Sequence, residues 1–190
     1  TPLDLRAADD DATLSIGDDL LVTARRSPGV VRAPAPVDWG DALLAEPAFV
    51  GHHDHPFPGC FVCGTARGVG DGLRIFPGPV GDGSGRLAAV FTAQEAHAGP
   101  DGRLTPAAVW AALDCPTAWV NMSGGETVLL GRFRAEVRGD LSAGKPYLVV
   151  AESAGRTGRK SYGRAGIYRR DGRLLAASEA VWIRVPGDGA

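Results

Sequence analysis

The chain has 190 residues, of which 44% are hydrophobic and 22% are charged, a balance typical of a globular protein and not of a disordered one. The formal net charge is −2 and no long run carries one sign, so the sequence lacks the clustered basic face of a nucleic-acid-binding protein. It also lacks the roughly 18 consecutive apolar residues of a membrane span and a basic-then-apolar leader, so we expect neither nucleic acid nor membrane as a partner.

The three cysteines, Cys60, Cys63 and Cys115, do not form the pattern of a disulfide scaffold. We therefore expect reduced thiols and a cytoplasmic protein. The first residue is Thr1 instead of Met, which predicts a processed chain or the C-terminal remainder of a longer one.

Residues 1–50 are predicted to form an N-terminal strand pair followed by a proline-rich connector. The strand-like runs lie at residues 3–6 and 20–24. Because two strands alone are marginal in water, they must join a larger sheet or pair with a partner. Six prolines predict extended or turning backbone in and just after the connector. A short helix is expected over residues 38–44, with Asp38 as its cap.

Residues 51–190 are predicted to form one α+β domain. Runs at 73–76 and 86–91 are separated by four glycines, which is typical of a hairpin with a loose loop. An antiparallel meander is expected near the end of the chain, because alternating apolar residues are separated by turn signals such as Asp171-Gly172. The predicted meander strands are residues 127–137, 147–153, 161–169 and 174–185.

The strongest helix signal covers residues 105–120, between the hairpin and the meander. Thr105 can cap the first turn, and Pro106 suits the first helical position. One buried stripe is predicted from residues at three- and four-residue spacing, namely Val109, Trp110, Leu113 and Thr117. Pro116 interrupts the pattern, and because it removes a backbone hydrogen bond, we expect it to kink or end the helix.

The start of this helix, residues 104–115 (Leu-Thr-Pro-Ala-Ala-Val-Trp-Ala-Ala-Leu-Asp-Cys), resembles hot-dog thioesterases of the phenylacetic-acid type. Those enzymes carry His-Gly-Gly at the helix start and an acidic residue nine positions on. Here Thr105, Pro106 and Ala107 stand at the first motif, and Asp114 stands at the acid.

Weaker similarities to the same family lie in Cys-Phe-Val-Cys-Gly at residues 60–64 and in the basic hairpin at 155–160. The resemblance covers about residues 51–185. It implies a hot-dog fold, in which a curved antiparallel sheet wraps around one long central helix. Residues 1–50 would then be the remnant of a first hot-dog unit in a double hot-dog protein.

The resemblance implies that Asp114 is catalytic. Its carboxylate would face a cleft between two hot-dog units and either activate water or attack the thioester carbonyl directly. Partial burial would raise the pKa of this carboxyl group toward the working range. The alternative is an exposed helix aspartate that forms a surface ion pair.

Four further residues of the helix are candidates for the same site. The backbone N–H groups around Ala107 and Ala108 could bind the developing oxyanion, because a helix N-terminus supplies free donors. Thr105 could cap the helix or contact the substrate. Thr117 could position water or pack in the core against the sheet.

Arg156, Arg159 and Lys160 form a compact basic cluster. Arginine matches phosphate oxygens in a bidentate way, and coenzyme A carries several phosphates. The cluster is therefore either a contact for coenzyme A phosphates or a solvated hairpin turn.

Cys60 and Cys63 are spaced as two zinc ligands, and His52, His53 or His55 could complete a set of four. A strong zinc signature, however, has two such cysteine pairs or a fixed histidine pair. The alternative is a structural turn in which both thiols pack as small apolar groups. We expect no metal and no cofactor, and we expect Cys115 to be a buried helix residue.

The predicted function is hydrolysis of an acyl thioester, carried by coenzyme A or by an acyl-carrier protein. One alternative is a hot-dog hydratase or dehydratase, for which His97 is the available histidine. The other is a non-catalytic acyl-binding module, because the His-Gly-Gly motif is absent. A single hot-dog sheet leaves an uncovered edge, so we expect a homodimer or higher homo-oligomer, or an intrachain pair.

Overall fold

The computed structural model describes residues 2–122 and 126–185, and its contacts divide the chain into two compact units, Thr1–Val30 and Val31–Ala190. The boundary predicted from sequence lies at residue 50. In the structure it lies at residue 30, and most of the proline-rich connector belongs to the second unit. Within the described residues, every helix falls short of the length and apolar character that crossing a membrane requires.

The first unit is a three-stranded antiparallel meander in the order β1-β2-β3. Its strands are Asp4–Ala7 (β1), Asp11–Ile16 (β2) and Asp19–Arg25 (β3). The prediction of two strands is therefore wrong. The unit has a third strand, β2, which lies between the two predicted runs. Residues of β1 and β3 are exposed, whereas most of β2 is half-buried. β2 pairs with β1 on one side and with β3 on the other, and these pairings stabilise it. Its own sequence is short and polar, so it does not indicate a strand.

The second unit contains a six-stranded antiparallel sheet in the order β4-β5-β7-β8-β9-β6. The predicted meander is confirmed for β7, β8 and β9, which are neighbours both along the chain and in the sheet. It is wrong for its first strand, β6, which pairs with β9 at the end of the sheet. The strands are Gly78–Pro79 (β4), Leu87–Thr92 (β5), Val128–Val137 (β6), Pro146–Thr157 (β7), Lys160–Tyr168 (β8) and Leu174–Arg184 (β9).

Residues 31–50 pack against one face of this sheet. The helix Trp39–Ala45 (α1) forms where it was expected, and the Asp38 side chain accepts a hydrogen bond of 2.7 Å from the Gly40 N–H. Three short 3-10 helices lie at Glu46–Ala48, Val50–His52 and Glu95–His97. The buried Tyr168 hydroxyl donates to the Pro34 carbonyl, which fixes the connector to β8 although its sequence reads as a loop.

Strand β7 is buried on both faces. Tyr147 and Val149 belong to the main core, which is shared with the later helices. Leu148 and Val150 alternate with them and pack in a second cluster with Ala42 of α1. The sheet is therefore the middle of three layers at this strand, and its apolar residues form a nearly continuous run for that reason.

The expected single long central helix is wrong. Residues 105–120 instead form two short helices, Pro106–Ala112 (α2) and Cys115–Trp119 (α3). Pro116 has no N–H to donate to the preceding turn, and its ring would clash with the carbonyl four residues earlier. The proline therefore lies in the first turn of a new helix, and the break falls at Leu113 and Asp114.

Buried hydroxyl groups donate to two carbonyl groups at the break. Ser178 Oγ on β9 donates to the Leu113 carbonyl at 3.0 Å. Thr117 Oγ1 donates to the Asp114 carbonyl at 2.6 Å and accepts from Trp182 Nε1 at 2.8 Å. Unpaired buried carbonyl groups would be costly, so these contacts stabilise the break and attach it to the sheet.

The close approach of α3 to β8 at Gly163 is testable. A Cβ atom there would lie 2.1 Å from the Thr117 carbonyl oxygen, so we expect Gly163→Ala to lower the free energy of unfolding by about 2 kcal/mol or more. Gly81→Ala is the control, because a Cβ at Gly81 meets no atom within 4 Å. Equal unfolding midpoints in urea for the two variants would contradict this packing.

Candidate active site at the break between the helices

The break places Asp114 at the position that precedes α3. Its side chain is half-buried, and its Oδ1 is buried without a hydrogen-bond partner among the described residues. Its Oδ2 lies 3.9 Å from Cys115 Sγ. The carboxylate is thus neither a cap nor one side of a surface ion pair, and one of its oxygens keeps its acceptor capacity.

Burial raises the pKa of Asp114 to about 6, and the neighbouring Cys60 thiolate adds to the effect. Removing a carboxylate from water penalises its charged form. The side chain therefore holds its proton more tightly than an exposed aspartate does, which is a property of carboxylates that act as general bases.

Three thiols lie beside this carboxylate. Cys60 Sγ is 3.5 Å from Cys115 Sγ, and the sulfur atoms of Cys60, Cys63 and Cys115 all lie within 4.8 Å of one another. The sequence spacing indicated only Cys60 and Cys63. Cys115 joins them through the fold, because α3 begins next to the loop that carries the pair.

The histidines predicted as further ligands are not part of this thiol cluster. His55 Nε2 lies 3.1 Å from the Cys63 carbonyl oxygen, so its ring contacts the backbone of the loop. His52 packs edge-on against Phe49 and Phe76. His53 is exposed.

A groove of about 450 Å³ runs beside the first turns of α2. Small side chains from α2 line it, and Phe61 and His97 form an edge-to-face pair next to them, with ring centroids 5.0 Å apart. His97 Nε2 is buried and has no hydrogen-bond partner among the described residues. The lining residues from α2 and its cap are Thr105, Ala107, Ala108 and Ala111.

The two backbone N–H groups predicted to bind the oxyanion have different surroundings in the structure. Thr105 Oγ1 accepts from the Ala108 N–H at 3.2 Å, so Thr105 caps the helix and this N–H is already used. The expectation that Ala108 offers a free donor is therefore wrong. Ala107 lines the groove, so its N–H stays a candidate donor to the oxyanion.

The structure places Thr117 in the core. Its side chain is fully buried, and its hydroxyl contacts the Asp114 carbonyl and the Trp182 indole. Because the side chain is fully enclosed by the core, its hydroxyl does not face a cleft in which it could position water. Of the two roles predicted for Thr117, these contacts favour packing in the core.

The basic cluster lies exposed at the hairpin between β7 and β8. Arg156 Nη2 donates to the Asn121 carbonyl at 2.6 Å, and Asn121 Nδ2 donates to the Tyr162 carbonyl at 2.9 Å. These bonds attach the hairpin to the C-terminal end of α3. Arg159 and Lys160 lie at the tip of this hairpin, whereas Asp114 lies at the opposite end of α3.

No protein-family model and no curated protein sequence matches the chain, but solved structures do. A thioesterase superfamily protein matches with a TM-score of 0.53 and 17% identity, over 59% of this chain and 57% of its own. A phenylacetic acid degradation-related protein from Ralstonia eutropha JMP134 matches with a TM-score of 0.52 and 20% identity, over 58% of this chain and 85% of its own.

The PaaI protein from the phenylacetic acid degradation operon of E. coli matches with a TM-score of 0.50 and 12% identity, over 55% of this chain and 75% of its own. The chain thus spans little more than half the length of the first of these proteins. At such identities the likeness establishes the fold and not the activity. The chain therefore has the α+β, hot-dog-like fold of thioesterase-superfamily proteins, as its helix motif predicts.

Proposed function

We propose that this protein hydrolyses an acyl thioester and that Asp114 is the carboxylate that activates water. One observation carries the proposal: a half-buried carboxylate with an unpartnered oxygen lies at the helix break of a fold shared with thioesterase-superfamily proteins. The resemblance of residues 104–115 to the phenylacetic-acid type supports the same assignment.

In this reaction Asp114 accepts a proton from water while the water oxygen bonds to the thioester carbonyl carbon. The tetrahedral intermediate then collapses by breaking the C–S bond. The proton held by Asp114 passes to the leaving thiolate, which gives a carboxylic acid and a free thiol. Direct attack by Asp114 would instead form a mixed anhydride that water hydrolyses in a second step.

We assign the acyl chain to the groove beside α2. Phe61, Ala107 and Ala111 line this groove, and small apolar side chains leave room for an apolar ligand. The Asp114 N–H donates to the carbonyl of Ala111 at 3.0 Å, so Asp114 lies one turn beyond a residue that lines the groove. We assign coenzyme A phosphates to Arg159 and Lys160, because they are exposed and belong to the hairpin that contacts the far end of α3.

We also propose that two copies of the chain complete the site. Strand β6 stands at one end of the sheet order, and its Leu129 and Leu130 are 56% and 44% exposed. Trp110 on α2 is 44% exposed and contacts Phe133 of β6. Unpaired strand edges with apolar side chains favour association. A second copy of the chain would cover both the edge of β6 and the exposed Trp110.

A second candidate function is hydration of an enoyl thioester or the reverse dehydration. It is favoured by His97, whose buried Nε2 has no partner among the described residues and whose ring lines the groove. An imidazole can move the proton that such a reaction requires. The absence of thiol release with turnover of β-hydroxyacyl-CoA would select this function over hydrolysis.

The central test replaces Asp114 by Asn and measures release of free thiol from a panel of acyl-CoAs. Loss of a general base lowers the rate by roughly 10²–10⁴-fold, so we expect kcat to fall by at least a hundredfold. Asp41→Asn is the control, because Asp41 is an exposed aspartate in the first turn of α1. Undiminished turnover by D114N would rule out the assignment, and binding without thiol release by the wild type would favour a non-catalytic module.

The phosphate assignment is tested with the double variant Arg159→Ala/Lys160→Ala. Loss of charge-assisted hydrogen bonds is expected to raise KM for acyl-CoA by roughly tenfold. KM for the matching acyl-pantetheine, which lacks the nucleotide phosphates, should stay unchanged. An equal rise for both substrates, or no rise for either, would exclude a contact with the nucleotide.

The dimer is tested by light scattering on the wild type and on Leu130→Lys. We expect the wild type to have twice the mass of the chain, and we expect a charge on the exposed edge of β6 to shift the equilibrium to monomer. Leu44→Lys is the control, since Leu44 is a 79% exposed leucine on α1. A monomeric wild type, or loss of the dimer in L44K alone, would contradict the proposed surface.

A further inference from the structure

We infer that Cys60, Cys63 and Cys115 form a binding site for a thiophilic divalent metal ion, with zinc as the expected ion. The three sulfur atoms lie within 4.8 Å of one another, and those of Cys60 and Cys115 are 3.5 Å apart. Zn–S bonds of about 2.3 Å at tetrahedral angles place sulfur atoms about 3.8 Å apart. The thiols therefore already have the separation that a shared ion requires, and the inference does not depend on thioester hydrolysis.

The loop that carries Cys60 and Cys63 folds so that both sulfurs reach one side. The Gly64 N–H donates to the Cys60 carbonyl at 2.9 Å, and a Cβ at Gly64 would lie 2.3 Å from that carbonyl oxygen. Glycine is therefore required for the tight turn.

Trp119 supplies a further donor to the cluster. Its indole Nε1 is 3.3 Å from Cys63 Sγ, and the side chain is buried in the cluster with Phe49 and Phe76. An indole N–H can only donate, and a neutral thiol is a weak acceptor. A metal-bound thiolate is the stronger acceptor, and hydrogen bonds of this kind orient the ligands of metal sites. The Trp119 N–H is thus placed to donate to a metal-bound Cys63 thiolate.

The third thiol connects two distant parts of the chain. Cys115 is the first residue of α3, and it follows Asp114 directly. An ion held by the three thiolates would join the loop at residues 60–64 to the helix break. It would also fix the position of the backbone at Asp114. Three thiolates leave one tetrahedral position, which water can occupy.

The test is the metal content of the wild-type protein purified without chelators, measured by elemental mass spectrometry. We expect one zinc ion per chain, and we expect its loss from Cys60→Ser, Cys63→Ser and Cys115→Ser. His53→Ala is the control, because His53 is an exposed histidine near the loop and outside the cluster; it should retain its zinc. Zinc that persists in all three serine variants, or that is lost in H53A, would overturn the site.

Cobalt substitution decides the question if a serine variant fails to fold. Wild-type protein loaded with Co²⁺ should show sulfur-to-metal charge-transfer bands and the visible bands of tetrahedral cobalt. Protein that takes up neither zinc nor cobalt when reduced, or that contains a Cys60–Cys115 disulfide by mass spectrometry in place of metal, would refute the proposal.

Trp119→Phe tests the donor while keeping an aromatic side chain in the same cluster. Loss of the N–H is expected to weaken zinc affinity about tenfold or more, as for other ligand-orienting hydrogen bonds. Competition with a chromogenic chelator measures this change without reference to enzymatic activity. An unchanged affinity in a folded W119F protein would contradict a Cys63 thiolate bound to metal.

Discussion

The site depends on a helix that cannot continue past Leu113. Pro116 forbids the next helical hydrogen bond. The Leu113 carbonyl at the break accepts from the buried Ser178 hydroxyl, and the Thr117 hydroxyl donates a second hydrogen bond to the Asp114 carbonyl. The break is thus anchored to β9 by specific polar contacts and is not a frayed end. Both Asp114 and Cys115 owe their positions to this arrangement, since they are the two residues at which the chain turns into α3.

Much of the fold follows from local patterns in the sequence. The caps at Asp38 and Thr105, the β7–β9 meander and the effect of Pro116 are all determined by neighbouring residues, which is why they could be predicted. Strand β2 and the docking of the connector could not, because they depend on pairing and packing partners far along the chain. The length of the helix was overestimated because the apolar stripe of residues 105–120 continues through the break.

The candidate site likewise contains residues that local sequence predicts and residues that only the fold brings together. Asp114 was identified from a motif within one helix, whereas the third thiol is 52 residues from Cys63 along the chain and no spacing rule connects them. Thr117 shares the helix stripe with apolar residues, and its side chain follows that stripe into the core. The raised pKa of Asp114 likewise has its main cause in burial, which is a property of the folded chain.

The three-layer arrangement at β7 has a consequence for the smallest piece of this chain that can fold. A fragment that began at residue 51 would lack α1 and the segment that receives the Tyr168 hydroxyl. Leu148 and Val150 would then face water on one side of the sheet, and uncovered apolar strands of this kind promote aggregation. The compact unit accordingly begins at Val31, and the proline-rich connector serves as the covering layer of the sheet as well as a link along the chain.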